Sequence, residues 1–435
     1  MQFEPARRLA GHFAVPGDKS ISHRALLLAA MATGSSEFTG LSAGQDVAAT
    51  AACLGELGID LHCEDAATGR WRVHGVPTQA WRSPVRPLDC GNSGTTMRLL
   101  CGVLAGAPGV RSVLAGDVSV SRRPMRRVAD PLNLLGARVA TTDTGTAPLA
   151  IDGQRLAGGT ARLAVASAQV KSALLLAGLN AAGPVAVHEP APTRDHTERM
   201  LRAMGAKLRQ LPDGAVIEPG TLAPLPRAAI PGDPSAAAFA IALGVLHDDA
   251  DIAVRSVCLN PRRTGWLAVL ARMGARVQVA ADADGAMIAN EPSGALRGRS
   301  SALRATDVEP AEVPDCVDEL PILALCAAAA TGVSTLRGLS ELRVKESDRL
   351  AATARLLQTL GVEVTAGPDW LRIGGVGSAR NWRRVGAYDP GLDHRMALCA
   401  AVAGLCGDGA AVANWRTTDS SWPGFAEALR AVTMQ

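Results

Sequence analysis

The sequence predicts an α/β protein built from about six internal repeats, arranged as two halves of three repeats each. Three observations lead to this prediction: a helix–glycine–strand phrase recurs, a set of apolar helices alternates with it, and one Pro-Gly-Asp triplet occurs twice. The 435 residues are too many for one ordinary core, so two domains of roughly 200 residues are expected. Each repeat is too short to bury a core alone, so neighbouring repeats must pack together.

The recurring phrase joins an apolar helix end to a strand through a glycine. Its five copies, spaced by roughly 70 to 85 residues, are Glu56–Leu61, Leu134–Val139, Ala203–Leu208, Arg272–Val277 and Thr359–Val364. Glycine adopts positive φ readily and therefore closes a helix well. Each copy predicts a helix, a glycine turn and a strand, usually followed by a second strand.

A second class of helix begins with polar residues and continues as an Ala/Leu-rich run. Its six starts are Asp18–Ser20, Gly91–Thr95, Ser167–Gln169, Gly232–Ser235, Asp318–Glu319 and Asp393–Arg395. Asp, Ser, Asn and Gly are good N-caps, and Asp18 in particular is interpreted as a cap. Helices that are apolar on every side are expected to be buried.

The Pro-Gly-Asp triplets at 16–18 and 231–233 are interpreted as equivalent points in the two halves. We expect the chain to cross between domains near them, at two hinges. One domain is then expected at 17–232, and the other at 1–16 plus 233–435.

Composition excludes several classes of protein. Aromatic residues make up 3% of the chain and the net charge is +3, which argues against nucleic-acid and membrane partners. Nine scattered cysteines without a Cys-x-x-Cys pair indicate a reducing compartment and no zinc site. His196 and His394 each follow an aspartate, but no third partner is evident, so no metal is expected. Without a signal segment or an apolar run of membrane length, a cytoplasmic enzyme is expected.

Basic residues concentrate at the polar helix starts and in the loops before them. They are Lys19, Arg24, Arg122, Arg123, Arg126, Arg127, Lys171, Arg194, Arg262, Arg263, Arg343, Lys345, Arg349 and Arg395. A helix N-terminus flanked by Lys or Arg binds phosphate or carboxylate. Several such starts facing one cleft would suit two multiply anionic substrates. A single arginine in a helical segment is usually a solvated surface group, and Arg126, Arg127 and Arg262 fit that interpretation well.

The segment 343–349 combines basic and acidic residues. Lys345 and Arg349 are four apart, which places them on one face if the segment is helical. Glu346 and Asp348 are either functional acids or salt-bridge partners, and the pattern alone leaves both interpretations open.

Six motifs in order resemble the 5-enolpyruvylshikimate-3-phosphate (EPSP) synthase family along almost the whole chain. They are Asp18–Arg24, Gly91–Thr95, Arg123–Met125, Ser167–Ser172, Lys345–Arg349 and Asp393–Arg395. The residues of 167–169 and 193–198 are similar to the branch that contains glyphosate-insensitive bacterial forms. The resemblance implies two similar domains, each of three βαβαββ units with buried helices, in an inside-out barrel architecture.

The resemblance also implies the reaction. The enolpyruvyl group of phosphoenolpyruvate moves to the 5-hydroxyl of shikimate 3-phosphate, with release of phosphate, in chorismate and aromatic amino-acid biosynthesis. It implies no metal, no organic cofactor, no partner beyond these small substrates, and a monomer.

Carried over residue by residue, the resemblance implies the following roles. Shikimate 3-phosphate would be held by Lys19, Ser20, Arg24, Ser167, Ala168, Gln169, Arg194, Asp318 and Lys345. Phosphoenolpyruvate would be held by Lys19, Gly94, Arg123, Gln169, Arg349 and Arg395. Asp318 would accept the proton of the 5-hydroxyl, and Lys19 or Glu346 would protonate the methylene carbon, because the addition needs one base and one acid.

The chain departs from the family pattern in places. Ser420 stands where the enterobacterial branch has a lysine, so one phosphate contact is missing or supplied otherwise. Glu341 replaces an asparagine at the start of the Lys345 segment. A tyrosine that helps to hold the shikimate phosphate in the enterobacterial branch is absent, and Arg194 is expected to take its role. In glyphosate-insensitive forms the methyl group of an alanine crowds the inhibitor at the position of Gly94. Gly94 lacks that methyl group, which favours sensitivity to glyphosate. The surrounding sequence instead resembles the branch that contains the insensitive forms.

Three alternative functions fit the sequence less well. A UDP-N-acetylglucosamine enolpyruvyl transferase would usually carry a cysteine shortly before its Arg-Pro pair, and 117–122 has none. An RNA 3′-phosphate cyclase would need an adenylation histidine, for which 393–395 is a poor substitute. A non-catalytic anion-binding scaffold would leave Asp318 and Glu346 unexplained.

Overall fold

A computed structural model describes residues 1–282 and 287–434 of the chain. The α-helices of the described residues are α1 Lys19–Met31, α2 Gln45–Glu56, α3 Gly94–Ala105, α4 Arg126–Leu134, α5 Ala168–Gly178, α6 His196–Ala203, α7 Pro234–Leu246, α8 Gly265–Arg272, α9 Leu320–Ala329, α10 Arg349–Thr359, α11 His394–Cys406 and α12 Phe425–Arg430. Within these residues, no helix is both long and apolar enough to pass through a bilayer.

The strands of the described residues are β1 Gln2–Phe3, β2 Arg8–His12, β3 Gly34–Thr39, β4 Asp60–Asp65, β5 Arg70–Gly75, β6 Leu88–Asp89, β7 Arg111–Ala115, β8 Val139–Ala140, β9 Leu149–Asp152, β10 Gly159–Arg162, β11 Val185–His188, β12 Leu208–Leu211, β13 Gly214–Ile217, β14 Ala228–Ala229, β15 Ala250–Cys258, β16 Arg276–Ala281, β17 Ser293–Arg299, β18 Thr331–Arg337, β19 Glu363–Ala366, β20 Trp370–Val376, β21 Val385–Tyr388, β22 Ala410–Val412 and β23 Thr433–Met434.

The chain divides into two compact units. The first unit contains Gly17–Ile230 and the described residues of Ala286–Glu291. The second unit contains Met1–Pro16 and the described residues of Pro231–Gly285 and Pro292–Gln435. Whether the crossings at 16–18 and 231–233 act as hinges stays a prediction.

Three four-stranded sheets of one design form the first unit, in the strand orders β14-β3-β5-β4, β6-β7-β9-β8 and β10-β11-β13-β12. In each sheet the first two strands are parallel and the remaining pairs are antiparallel. The last two sheets follow the chain order β-α-β-α-β-β, whereas the first takes its outer strand, β14, from the far end of the unit. The return of the chain to β14 therefore completes the first repeat.

The second unit repeats this design with more variation. Its sheets have the orders β16-β17-β15-β2-β23, β18-β20-β19 and β1-β22-β21. The N-terminal strand β2 pairs in parallel with β15, so the first residues of the chain complete the fourth repeat. Phe3, Phe13, Trp422 and Phe425 stack in an aromatic cluster with ring centroids 5.1–6.4 Å apart along its contacts.

Six helices are buried almost end to end: α1, α3, α5, α7, α9 and α11. Helices α3 and α5 approach so closely that a Cβ on Gly102 would lie 2.2 Å from the carbonyl oxygen of Ala173. Only glycine allows this approach. The predicted class of buried, Ala/Leu-rich helices is confirmed.

The five glycines of the recurring phrase have positive φ, from 80° to 95°. These residues, which follow α2, α4, α6, α8 and α10, are Gly58, Gly136, Gly205, Gly274 and Gly361. A side chain would be strained in this conformation, which explains why the sequence repeats glycine there. The predicted repeat and the α/β fold class are therefore confirmed.

Candidate active site

The predicted site residues lie in two groups, one in each unit. The first cluster, in the first unit, is defined as Lys19, Ser20, Arg24, Gly94, Arg123, Ser167, Ala168, Gln169 and Arg194. The second cluster, in the second unit, is defined as Asp318, Lys345, Glu346, Arg349 and Arg395. Both clusters lie at or just before helix N-termini, where backbone N–H groups favour anions.

The start of α1 presents Lys19 and Ser20 as its first two residues. Asp18 caps the helix, because its Oδ1 accepts a hydrogen bond of 2.7 Å from the backbone N–H of Ile21. The Nζ of Lys19 lies 2.9 Å from Oδ2 of Asp46 in α2. The cap and the ion pair together orient Lys19 at the helix terminus.

Arg24 is one turn further along α1 and is 2% exposed. Its Nε donates to Oγ1 of Thr197 at 2.6 Å, and its Nη2 donates to Oγ of Ser172 at 2.9 Å. Its Nη1 donates to the carbonyl oxygen of Ser20 at 2.9 Å. Hydroxyl and carbonyl oxygens thus fix the plane of this guanidinium.

Gly94 is the first residue of α3, and two arginines lie against it. A Cβ at this position would be 2.8 Å from Nη1 of Arg123 and 3.1 Å from Nη1 of Arg98. Arg123 is fixed in turn, since its Nη2 donates to Oδ1 of Asn92 at 2.6 Å and to Oγ of Ser119 at 3.1 Å. The glycine is what lets two cationic groups approach the helix N-terminus.

Arg98, which was not among the predicted site residues, contacts one of them. Its Nη1 donates to Oε1 of Gln169 at 2.6 Å, while Nε2 of Gln169 donates to Oγ1 of Thr95 at 2.9 Å. The available signal was its position four residues after Gly94, which puts it on the same face of α3. Gln169 is therefore positioned by α3 although it belongs to α5.

The start of α5 brings the remaining residues of the first cluster. Ser167 is the N-cap, and its Oγ accepts a hydrogen bond of 3.4 Å from the backbone N–H of Val170. Ala168 is the first residue of the helix. Arg194 is half-buried in the loop between β11 and α6.

Arg349 is the centre of the second cluster and is 1% exposed. Its Nε lies 2.9 Å from Oδ2 of Asp393, its Nη2 lies 2.5 Å from Oε2 of Glu346, and its Nη1 lies 3.4 Å from Oδ1 of Asp318. Burial lowers the pKa of Arg349, but the charges of the three carboxylates more than offset it, so that the pKa is raised overall. Arg349 is therefore held as a cation by an acidic shell.

Asp318 precedes α9 and contacts cations on three elements. Its Oδ1 lies 3.5 Å from Nζ of Lys345, and its Oδ2 lies 3.9 Å from Nη2 of Arg395. Nη1 of Arg395 also donates to the backbone carbonyl oxygen of Asp318 at 3.0 Å. With Arg349, Asp318 has three cationic neighbours, and cations stabilise the ionised carboxylate that can accept a proton.

Asp393 was predicted as a helix start but was assigned no role at the site. It caps α11 through a hydrogen bond of 3.0 Å from the backbone N–H of Arg395 to Oδ1, and its Oδ2 accepts from Oγ of Ser347 at 2.7 Å. Because it also binds Arg349, one buried carboxylate joins the helix that carries Arg395 to the segment before α10.

The segment 343–349 is not one helix. A 3-10 turn spans Ser340–Val344, Lys345 has an extended backbone, and α10 begins at Arg349 after the N-cap Asp348. The condition for a shared helical face of Lys345 and Arg349, a helical segment, is therefore not met. Asp318 brings the two side chains together instead, from a distant part of the sequence.

The expectation that His196 lacks a third partner is also wrong. Nδ1 of His196 lies 2.7 Å from Oε1 of Glu291, and ligand atoms of Asp195, His196 and Glu291 lie within 4.8 Å of one another. Arg199 lies beside them, with its Nε 2.9 Å from Oδ2 of Asp195 and 4.0 Å from Oε2 of Glu291. A guanidinium thus supplies positive charge at this cluster.

His23 has a structural position behind Lys19. Its Nδ1 lies 2.7 Å from Oγ1 of Thr50, which lies 2.7 Å from Oγ1 of Thr96. Burial lowers the pKa of His23 well below its ordinary value, and the charges of Lys19 and Arg24 lower it further. A neutral His23 therefore links α1, α2 and α3 by hydrogen bonds.

Ser420, which stands where the enterobacterial branch has a lysine, ends a 3-10 turn at Trp415–Ser420. Its Oγ donates to the carbonyl oxygen of Thr417 at 2.8 Å, within the same turn.

Sequence comparisons give a consistent result. The family model described as EPSP synthase (3-phosphoshikimate 1-carboxyvinyltransferase) matches residues 3–429. The 3-phosphoshikimate 1-carboxyvinyltransferase of Desulforudis audaxviator is 45% identical over 439 residues, which cover 100% of both chains. Its counterpart in Synechococcus sp. (strain RCC307) is 47% identical and covers 92% of this chain and 91% of its own.

Solved structures agree with the sequences. EPSP synthase from Acinetobacter baumannii has a TM-score of 0.85 at 36% identity, and the match covers 100% of this chain and 98% of that one. The enolpyruvyl transferase NikO from Streptomyces tendae has a TM-score of 0.76 at 20% identity, and covers 99% of this chain and 96% of its own, which indicates a shared fold.

Proposed function

This chain belongs to the EPSP synthase (3-phosphoshikimate 1-carboxyvinyltransferase) family, and on that premise we propose how its residues divide the reaction. The enzyme transfers the enolpyruvyl group of phosphoenolpyruvate to shikimate 3-phosphate, in aromatic biosynthesis. The division of roles between the clusters, and the choice of base and acid, are the substance of the proposal.

We assign Asp318 as the general base. In the addition step, the 5-hydroxyl oxygen of shikimate 3-phosphate attacks C2 of phosphoenolpyruvate, loses its proton to Asp318, and C3 takes a proton from an acid. In the elimination step, C3 gives back a proton and phosphate leaves C2, so the product carries the enolpyruvyl ether. This assignment rests on the ion pairs of Asp318 with Lys345, Arg349 and Arg395, whose N···O distances are 3.5, 3.4 and 3.9 Å.

Lys19 is favoured as the acid over Glu346. The carboxylate of Glu346 lies 2.5 Å from the guanidinium of Arg349, and a neighbouring cation favours the ionised form of a carboxyl group. A lysine side chain can act as a general acid, and Lys19 is proposed here to contact both substrates. Glu346 then serves to orient Arg349.

Substrate binding is assigned to the cations and caps. Shikimate 3-phosphate is held by Lys19, Ser20, Arg24, Ser167, Ala168, Gln169, Arg194, Asp318 and Lys345. Phosphoenolpyruvate is held by Lys19, Gly94, Arg123, Gln169, Arg349 and Arg395. Fixed guanidinium planes support bidentate contacts to phosphate and carboxylate, and the helix N-termini add backbone donors. On the same family premise, we propose a cytoplasmic monomer that needs no metal or organic cofactor.

Phosphate release tests the reaction directly. Purified protein is mixed with phosphoenolpyruvate and either shikimate 3-phosphate or UDP-N-acetylglucosamine, and free phosphate is followed over time. Release with shikimate 3-phosphate alone is expected. Release with UDP-N-acetylglucosamine alone would overturn the assignment.

The choice of acid is tested in deuterium oxide. If Lys19 protonates C3, the variant Lys19→Met should lose deuterium incorporation into the methylene group of phosphoenolpyruvate, whereas Glu346→Gln should retain it at a lower rate. The reverse result would make Glu346 the acid.

A further inference from the structure

Lys171 forms a buried ionic group that the reaction as described does not use. It lies in α5, and its Nζ is 2.8 Å from Oε1 of Glu189 and 2.7 Å from Oε1 of Glu198. The side chains of Lys171, Glu189 and Glu198, here called the buried triad, are 1%, 3% and 0% exposed. One formal positive charge faces two formal negative charges away from water. Burying such charges costs free energy, and apolar side chains of similar volume are often at least as stable in their place.

The buried triad joins three elements of the first unit. Lys171 is in the first half of α5, Glu189 directly follows β11, and Glu198 is in the first turn of α6. The helix dipole at the start of α6 favours a carboxylate there. Because all three side chains meet at one ammonium group, Lys171 sets the spacing between α5, α6 and the loop that connects β11 to α6.

Glu189 connects the triad to Arg194. Its Oε2 accepts a hydrogen bond of 2.5 Å from Oγ1 of Thr193, and its Oε1 accepts one of 3.3 Å from the backbone N–H of Thr193. Thr193 is directly before Arg194 in the chain. The loop that carries Arg194 is therefore tied to the triad at the neighbouring residue.

Glu198 and Lys171 each have a sequence neighbour that holds Arg24. Thr197 and Ser172 accept hydrogen bonds from Arg24 at 2.6 Å and 2.9 Å, and their hydroxyl oxygens lie 2.7 Å apart. A shift of α5 against α6 would separate these two hydroxyls, because one belongs to each helix. The triad and the support of Arg24 are consequently one connected structure.

We propose that Lys171 is a positioning residue for the binding of shikimate 3-phosphate, acting through Arg24 on one side and Arg194 on the other. The inference rests on the proposed contacts of those two arginines with shikimate 3-phosphate. Lys171 itself is not a catalytic residue, because its ammonium group is enclosed and contacts two carboxylates. Gly94 and Arg123, which are proposed to hold phosphoenolpyruvate, lie outside the three elements that the triad joins, so the larger effect is expected for shikimate 3-phosphate.

The main experiment measures steady-state kinetics of Lys171→Met, which keeps an unbranched side chain one atom shorter and removes its charge. The KM for shikimate 3-phosphate is expected to rise by about 10-fold or more, whereas the KM for phosphoenolpyruvate changes by less than about 2-fold. A general loss of structure would instead lower the amount of active enzyme and leave both KM values alone. A KM for shikimate 3-phosphate within about 2-fold of the parent value would overturn the proposal.

A matched control separates positioning from stability. Leu175→Ala removes buried packing from the same helix but keeps every charged group of the triad, so it should lower Tm and leave the KM for shikimate 3-phosphate unchanged. If Leu175→Ala raised that KM as much as Lys171→Met, the effect would come from the packing of α5 and not from the charge of Lys171, and the proposal would fail.

A second variant decides the matter if Lys171→Met does not fold. Thr193→Val keeps the shape of the side chain but removes the hydroxyl bond to Glu189, and should raise the KM for shikimate 3-phosphate by about 3-fold. An unchanged KM in this variant would overturn the proposal.

Arg194→Ala distinguishes this inference from the proposed function. If Arg194→Ala raises the KM for shikimate 3-phosphate but the Lys171 and Thr193 variants do not, only the positioning role is wrong. If Arg194→Ala leaves the KM for shikimate 3-phosphate unchanged, the proposed contact of Arg194 with that substrate is wrong, and so is the positioning role of Lys171 through Arg194.

Discussion

The two clusters hold their arginines with different chemistry. In the first cluster, Arg24 and Arg123 donate to hydroxyl, amide and carbonyl oxygens. In the second cluster, Arg349 contacts three carboxylates. Neutral oxygens orient a guanidinium without cancelling its charge, whereas carboxylates stabilise it and supply groups that can take a proton. On the proposed assignment both clusters bind anionic substrates, but Arg349 is held directly beside Asp318, the carboxylate proposed as the base.

The largest effect should come from removing the base of the second cluster. We expect Asp318→Asn to lower kcat by a factor of about 10²–10⁴, because the 5-hydroxyl loses its proton acceptor. The matched control is Asp315→Asn in the same loop, whose carboxylate pairs with Arg262 at 3.3 Å; its kcat should stay within about 2-fold. Both are measured by phosphate release at saturating substrate. A kcat of Asp318→Asn close to that of the control would remove the distinction between the clusters.

The free energies of unfolding of two variants test the difference between the neutral oxygens around Arg24 and the carboxylates around Arg349. Arg349→Met leaves the carboxylates of Asp393, Glu346 and Asp318 without their shared cation, so we expect a loss of about 3–5 kcal/mol in the free energy of unfolding. Arg24→Met leaves hydroxyl and carbonyl groups unpaired, for which about 1–3 kcal/mol is expected. Urea denaturation of the two variants gives the comparison. Equal losses in the free energy of unfolding would show that the neutral oxygens and the carboxylates stabilise their arginines to the same extent.

The smallest effect concerns crowding in the first cluster. Gly94→Ala would place a methyl group 2.8 Å from Nη1 of Arg123, and Asn92 and Ser119 limit how far that guanidinium can retreat. We expect the KM for phosphoenolpyruvate to rise by about 3- to 10-fold, and the glyphosate concentration for half-inhibition to rise more. Gly55→Ala in α2 is the control, since nothing lies within 4 Å of the added Cβ. Unchanged inhibition in Gly94→Ala would mean that Arg123 is not fixed as the contacts indicate.

Local signals were sufficient for much of the fold. The glycines after α2, α4, α6, α8 and α10 are visible in the sequence because a positive φ has a strong residue preference. The N-caps are visible for the same reason, since a cap and its partner lie within three residues. The exception is α9, where Glu319 makes no side-chain cap and the helix begins at Leu320, later than the polar start suggested.

Partners that are distant in the chain could not be predicted in this way. Arg98 and Gln169 are 71 residues apart, and Arg349 and Asp393 are 44 residues apart. Glu291, the unexpected partner of His196, is 95 residues away from it. No local rule links such positions, because any buried polar group is satisfied by whichever donor or acceptor the packing of elements brings to it.

The sequence by itself determined the repeat, its turns and its caps, because each depends on the conformational preference of a few consecutive residues, and its six motifs carried the family resemblance. The tertiary structure alone decided which charges meet: three carboxylates at Arg349, hydroxyl oxygens at Arg24, and the enclosed ammonium group of Lys171 between two glutamates. The physical reason is that the energy of a charge depends on its neighbours and its distance from water, and both are set only when the repeats pack.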